Sequence, residues 1–241
     1  MGIIKYQKKE DMKFETLPNG VRRAEMLEGM VDGVHTYKCQ VKAGDTVELE
    51  TFGDTTQLIY VTSGECYITT KDKAFMITEP SLFIPNMDLE KNVMHAVTDV
   101  EYLQLTCFML PEDKEWWKKW HISLPRFCPL SQCIQYTESF RPDAIKAYSI
   151  LDTHWVTRMT MGAIIGKGPN KADPHSHDNL YQWYYGMPGT KFLYRAGGEE
   201  IVLSEGDFAF IPINVEHAIE IEENENVNYV WFEIEVPKGQ Q

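Results

Sequence analysis

The sequence predicts an all-β protein in which two similar small barrels are joined by a linker with a short helix. The first observation is a series of short apolar or alternating runs, separated by turn residues such as Gly, Asp and Ser. The second is a helix-like stretch near the middle, at residues 111–120. The third is an internal repeat, which is the mark of a duplicated domain.

The strand-like runs of the first half define the N-terminal barrel. They lie at residues 35–41, 57–61, 66–69 and 102–108, with turn signals at 43–45, 63–65 and 71–73. Regular short strands with such breaks are typical of a sandwich or barrel. We therefore expect a first domain over residues 1–110.

The linker is expected over residues 111–150. It opens with Pro111 and two acidic residues and reaches Lys118 and Lys119 within ten residues, which favours a helix. Three tryptophans on this stretch suggest packing against a barrel or a second copy of the chain. A second short helix is expected near residues 143–148.

The strand pattern returns over residues 151–241 as a copy of the first half. Seven positions separate Gln57 from Gly64, and the same spacing separates Gln182 from Gly189. The Phe-Ile-Pro segment at 83–85 recurs at 210–212, an offset of 127 residues against 125 for the glutamines. The chain is therefore predicted to hold two versions of one domain.

Composition restricts the class of partner. Asp and Glu number 36 against 23 Lys and Arg, which gives a net charge of −13. An acidic surface argues against binding of nucleic acid or of an anionic membrane, and no apolar run has the length of a membrane span. The first residues lack the apolar stretch of a secretion signal, so a cytoplasmic protein is expected. We expect a small-molecule substrate, and a homodimer formed through exposed barrel edges.

The second half carries a metal-binding pattern. His175 and His177 stand two residues apart, so an extended chain would direct both to one face. Gln182 follows, and His217 lies further along. Three imidazoles and an amide oxygen that converge would bind one divalent transition metal ion, for which Fe, Mn, Zn, Co and Ni are candidates.

These residues resemble the two motifs of the cupin superfamily. The first motif is matched by Pro174, His175, His177, Gln182 and Gly189, and the second by Gly206, Pro212 and His217. The resemblance implies a cupin-type jelly-roll barrel with metal ligands His175, His177, Gln182 and His217, and through the repeat it implies a bicupin. The departures are Gln182, where many cupins have Glu, and the missing asparagine after His217.

Gln182 bears on the chemistry. Three imidazoles and an amide leave the charge of a divalent ion uncompensated, which favours an anionic, chelating substrate and strong Lewis acidity. The leading hypothesis is therefore isomerase- or lyase-type chemistry on a small 2-oxo acid, enol or sugar acid. An Fe(II)-dependent dioxygenase and a non-catalytic small-molecule sensor are the alternatives, because one fold hosts many chemistries.

Catalytic partners are expected beside the metal. Tyr184 lies two residues beyond Gln182 and should share its face. Arg158, on the segment that enters the second barrel with His154, is expected to clamp a substrate carboxylate.

The first barrel should have lost its metal. The repeat places Glu50, Phe52, Gln57 and Glu90 where the second barrel has His175, His177, Gln182 and His217. A carboxylate site for a hard cation at Glu50 and Glu90 is the alternative.

Overall fold

The structure, a computed structural model, describes residues 2–86, 91–153 and 155–236. The chain divides into two compact units, Met12–Cys133 and Met1–Asp11 with Ile134–Gln241. We call them the N-terminal and C-terminal units. The division differs from the predicted boundaries at residues 110 and 150, because strands at the start of the chain and in the linker pair within the units.

The strands of both units are short and follow one another closely along the chain. In chain order they are β1 (Lys5–Gln7), β2 (Glu15–Thr16), β3 (Arg22–Glu25), β4 (Val34–Val41), β5 (Thr46–Glu48), β6 (Thr55–Ser63), β7 (Cys66–Thr69), β8 (Ala74–Ile77), β9 (Ser81–Ile84), β10 (Val93–Ala96) and β11 (Val100–Phe108). After the helix α1 (Pro111–Trp120) come β12 (Arg126–Pro129), β13 (Ile134–Tyr136), β14 (Ile145–Leu151), β15 (Met159–Lys167), β16 (Asn170–His175), β17 (Leu180–Gly186), β18 (Lys191–Ala196), β19 (Glu199–Ser204), β20 (Phe208–Ile211), β21 (His217–Ile221) and β22 (Asn226–Glu235). Two single-turn 3₁₀ helices lie at Lys9–Asp11 and Leu130–Gln132.

Each unit contains one seven-stranded and one four-stranded antiparallel sheet. The order in the N-terminal unit is β12-β9-β6-β11-β4-β3-β2 and β5-β10-β7-β8. In the C-terminal unit it is β1-β20-β17-β22-β15-β14-β13 and β16-β21-β18-β19. The two orders are equivalent strand for strand, so the sequence repeat corresponds to a repeated topology. The all-β, jelly-roll prediction is confirmed, although the hydrogen-bonded sheets are open rather than closed into barrels.

The core of each unit lies under the inward faces of its strands. In the N-terminal unit Ile59, Phe83 and Met94 are buried in one apolar cluster. In the C-terminal unit Tyr194 and Ile211 occupy a corresponding cluster. Burial of each large apolar side chain stabilises the fold by roughly 1.5–3 kcal/mol. Packing of these cores fixes the positions of the strands, and the strands carry the polar residues of the candidate site described below.

The helix α1 agrees with the prediction for residues 111–120, and Asp113 accepts a hydrogen bond from the backbone N–H of Leu110 at 2.9 Å. The second predicted helix, at residues 143–148, is wrong. That segment enters β14, where Ile145 and Ala147 are buried on one face. The alternation of buried residues has the two-residue period of a strand. The described residues contain no helix long and apolar enough to cross a membrane.

The strand β1 forms an edge of the seven-stranded sheet of the C-terminal unit, with Tyr6 opposite Ala209 on β20. Its tyrosine hydroxyl donates to the carboxylate of Asp207. The N–H of Ile4 donates to Glu199 at 2.9 Å. In the N-terminal unit β12 pairs in the same way with β9, the counterpart of β20.

Candidate metal centre

Three histidines converge at one end of the C-terminal unit. His175 ends β16 and is paired with His217, the first residue of β21. His177 lies two residues beyond the end of β16, in a loop whose carbonyl at His177 accepts the N–H of Asn214 at 3.1 Å. One ligand nitrogen from each ring lies within 4.8 Å of the others. The predicted proximity of the three imidazoles is therefore present, although the strand stops before His177.

Two of the rings are held in one orientation by the backbone. Nδ1 of His175 lies 3.1 Å from the carbonyl oxygen of Asp173, and Nδ1 of His217 lies 3.1 Å from that of Val215. A carbonyl can only accept, so each Nδ1 carries the proton and each Nε2 keeps its lone pair. This is the tautomer that a metal ligand requires.

Burial keeps these imidazoles neutral. It lowers the pKa of His217 to about 3 and that of His175 to about 4, with the neighbouring rings and Arg141 adding to the effect. The pKa of His177 is also lowered by burial. All three are therefore deprotonated at neutral pH, as ligation demands.

The low pKa of His217 makes stability depend on pH. Its folded pKa is below the value of the unfolded chain, so the unfolded state takes up the proton first as pH falls below 6.5. The metal-free C-terminal unit should lose about 2 kcal/mol between pH 6.5 and pH 5 through this residue. Amide hydrogen exchange of peptides from β20 and β22 measures the loss. The His217→Gln variant should lose correspondingly less, and an equal loss in both proteins would contradict the assignment.

Gln182 faces Glu233 across the sheet. The two residues are paired on β17 and β22, and Nε2 of Gln182 donates to Oε1 of Glu233 at 2.6 Å. Both are buried, with 4% and 8% of their surfaces exposed. The amide nitrogen is thereby occupied, which leaves the amide oxygen of Gln182 as the group available to a metal ion.

Glu233 is a functional candidate that the sequence analysis missed. Burial raises its pKa to about 7, and Glu138 adds to the rise while the hydrogen bond from Gln182 opposes it. The sequence carried a signal, because Glu233 interrupts an otherwise apolar run in the strand β22. Tyr229, Trp231 and Glu233 alternate along this strand and line the same cavity.

The histidines open into a small cavity of about 90 Å³. Its walls are formed by residues of the five strands β13, β16, β17, β21 and β22 and of the loops that follow β13 and β16. The lining residues are Tyr136, Glu138, Phe140, Arg141, Ala172, His175, His177, Gln182, Tyr184, His217, Ala218, Ile219, Tyr229, Trp231 and Glu233. This volume corresponds to about three water molecules at the ~30 Å³ that each occupies in the liquid, which suits a small substrate.

Tyr184 lies in the cavity wall, on the same side of β17 as Gln182. Its ring centroid is 6.1 Å from that of His217. Burial raises the pKa of Tyr184 well above its usual value, and Tyr194 and Tyr229 add to the rise. The phenol therefore stays protonated and can serve as a donor but not as a base.

Arg158 does not reach this cavity and is absent from its described lining. It precedes β15, where its carbonyl oxygen accepts the N–H of Glu235 at 3.0 Å, and no residue of β15 lines the cavity. The guanidinium in the wall belongs to Arg141, which the sequence analysis left in a linker. His154, the other residue expected on this segment, lies outside the described residues.

The equivalent place in the N-terminal unit holds a polar network. The carboxylate of Glu50 lies 2.8 Å from Nη1 of Arg23, and Gln104 donates to Gln57 at 2.7 Å. Within the described part of the chain, the three histidines are the one group of His, Cys, Asp or Glu residues close enough for a shared ion. Glu90, the expected partner of Glu50, lies outside the described residues.

Solved structures share this fold at low sequence identity. A protein of Pseudomonas aeruginosa described as glyoxylate-induced superimposes with a TM-score of 0.77 at 13% identity, over 96% of this chain and 88% of the other. The Escherichia coli protein Ylba gives 0.75 at 12% identity, over 97% and 91%. Oxalate decarboxylase of Bacillus subtilis, in a structure described by its Mn(II) centres, gives 0.70 at 13% identity, over 95% and 77%.

No curated protein sequence matches the chain. A family model does match residues 163–233, and its description is "Cupin domain". The matched segment begins within β15 and ends at Glu233, so it includes the three histidines and Gln182. Residues 163–233 are therefore similar to a cupin domain, and this segment carries the candidate metal centre.

Proposed function

We propose that the chain is a metal-dependent bicupin enzyme that acts on a small anionic substrate by isomerase- or lyase-type chemistry. The substrate would be of the 2-oxo acid, enol or sugar-acid type. The observation that carries the proposal is the convergence of three neutral imidazoles, two with their Nε2 lone pairs exposed by backbone contacts at Nδ1. The equivalent strand orders of the two units support the bicupin architecture.

The donor set fits a divalent transition metal. Two nitrogens bound to one ion at about 2.1 Å are at most about 4.2 Å apart, so the observed limit of 4.8 Å needs only small side-chain shifts. His175, His177 and His217 would hold the ion, with the amide oxygen of Gln182 as fourth donor. The Mn(II) centres described for oxalate decarboxylase, which shares the fold, support this assignment.

A bound ion would supply Lewis acidity to a substrate oxygen. The protein supplies the proton transfer. Glu233 lies in the same cavity, held by Gln182, and its carboxylate oxygen is placed to accept a proton from the carbon beside a carbonyl group. Tyr184, two positions along β17 from Gln182, would donate a hydrogen bond to the substrate. The buried cavity excludes most water from this exchange.

Proton exchange tests the proposal directly. The metal-loaded protein should exchange the methyl hydrogens of pyruvate, or the equivalent hydrogens of a longer 2-oxo acid, with deuterium from heavy water. The rate should exceed that of the His217→Ala and Glu233→Gln variants by about 100-fold or more. Nuclear magnetic resonance measures the rate of hydrogen–deuterium exchange. An oxygen electrode measures oxygen consumption in a parallel sample.

The rival functions give different results. Oxygen consumption with Fe(II) and a 2-oxo acid or catechol would assign a dioxygenase and refute the isomerase. A ligand that raises the melting temperature but is recovered without exchange or conversion would assign a binding protein.

A further inference from the structure

We propose that Arg141 binds the carboxylate of the substrate, in a subsite that the loop between β13 and β14 adds to the histidine cluster. The inference rests on the proposed function, because it names how that site selects an anion. Arg141 is the one Lys or Arg among the described residues that line the cavity. Its side chain is 8% exposed, so its charge is almost wholly removed from solvent.

The buried guanidinium has donors to spare. Nη1 of Arg141 lies 2.6 Å from Oε2 of Glu138, but neither atom has an aligned hydrogen-bond partner within the described residues. Nε of Arg141 is likewise buried without an acceptor. A buried donor that loses its hydrogen bond to water and gains none within the protein destabilises the fold. A substrate carboxylate that accepts the Nε–H, or that replaces Glu138 at Nη1, would satisfy these donors.

The loop holds Arg141 against the histidines. The Phe140 ring stacks on His175 with centroids 3.7 Å apart, and the Arg141 guanidinium lies 5.1 Å from the Phe140 centroid. The carbonyl of Phe140 accepts the N–H of Asp173 at 2.8 Å. A substrate held by Arg141 would therefore lie beside the imidazoles, and the cavity volume of about 90 Å³ favours a small 2-oxo or 2-hydroxy acid.

Glu138 sets the selectivity of this subsite. It is 29% exposed against 8% for Arg141, so its carboxylate can turn to solvent more readily than the guanidinium can. In the free protein it compensates the buried charge, and an incoming carboxylate would take over that role. Glu233 is the other carboxyl in the wall, and it is bonded to Gln182. Neutral analogues gain nothing from displacing Glu138 and should bind weakly.

Calorimetric titration with pyruvate and with its neutral amide tests the subsite, after the metal content of each protein has been measured. Arg141→Met should weaken pyruvate binding by about 10- to 100-fold and leave the affinity for pyruvamide and the metal content unchanged. Arg141→Lys keeps the charge but not the paired donors, so it should retain part of the affinity. This variant serves as the test if Arg141→Met fails to fold. Glu138→Gln should bind pyruvate several-fold more tightly.

Two further variants locate the effect. Arg195→Met removes an exposed arginine of the same unit and should change nothing. Arg158→Met tests the arginine that the sequence had suggested as the carboxylate clamp. A loss of pyruvate affinity in this variant but not in Arg141→Met would overturn the inference. So would unchanged affinity in both Arg141 variants, or the absence of pyruvate binding by the wild type at millimolar concentration. A protein that binds no metal but loses pyruvate on mutation of Arg141 would refute the proposed function alone.

Discussion

Replacement of His217 by alanine should abolish metal binding by the purified protein. Its ring is 4.2 Å from that of His175 and 5.6 Å from that of His177, and it is 5% exposed. Loss of groups that merely orient ligands costs 10- to 100-fold in affinity, so loss of a ligand should reduce bound metal below about a tenth of the wild-type level. Elemental analysis after dialysis against trace metal measures it.

Stability gives an independent measure of the same loss. A metal at 100 times its dissociation constant should stabilise the wild type by about 2.7 kcal/mol and the variant not at all. His95→Ala is the matched control, because His95 lies in the N-terminal unit and stacks on Tyr67. Equal melting temperatures of the metal-free proteins would show that folding is intact. Full metal occupancy in the His217 variant would refute the centre.

The Gln182→Glu variant should be strongly destabilised when it is free of metal. The wild-type amide donates to a buried carboxyl at 2.6 Å, and the substitution replaces that donor with a second carboxyl. Two carboxyls this close keep a proton between them, so their shared pKa rises. A raised pKa gives stability that is lost as pH increases. We expect a loss of about 2 kcal/mol or more at pH 8 and a smaller loss at pH 5, measured by urea denaturation.

The exchanged pair supplies the control. Gln182→Glu combined with Glu233→Gln restores one amide and one carboxyl in reversed positions, and it should recover most of the stability. Added metal should also rescue the single variant, since a carboxylate is a better ligand than an amide. The extra negative charge should still weaken pyruvate binding. Wild-type stability of the metal-free single variant at pH 8 would mean that the two side chains do not depend on each other.

The repeat made most of the fold predictable, and the histidine spacing predicted that the three imidazoles lie close together. Short strands with turn residues between them indicate β-structure, and the two-residue period places Gln182 and Tyr184 on one face. The helix α1 was predictable from Pro111 and the charges that follow it. These strand and helix signals are local in sequence, so they can be recognised without knowledge of the tertiary structure.

The missed residues depend on contacts that local patterns do not record. Arg141 enters the cavity because β13 pairs with β14 and the intervening loop bends over His175. The residues around Arg141 have the composition of an ordinary proline-containing loop, so they give no sign of a binding site. Glu233 lies in an apolar run of β22, and its burial distinguishes it from Glu235 on the same strand. Arg158 was placed wrongly because its strand begins one residue later and directs no side chain into the cavity.

The pairing of β1 with β20 has a consequence for the order of folding. Residues Lys5–Gln7 are synthesised long before their partners Phe208–Phe210, which lie about 200 positions later. The N-terminal unit, Met12–Cys133, is continuous and can fold while the rest of the chain is still being made. The strand β1 cannot pair until β20 has been synthesised. Until β1 docks, β20 has an unpaired edge that can bind other chains. Docking of β1 thus closes this edge of the C-terminal unit, and it protects the sheet that contains Gln182 and Glu233 from intermolecular pairing.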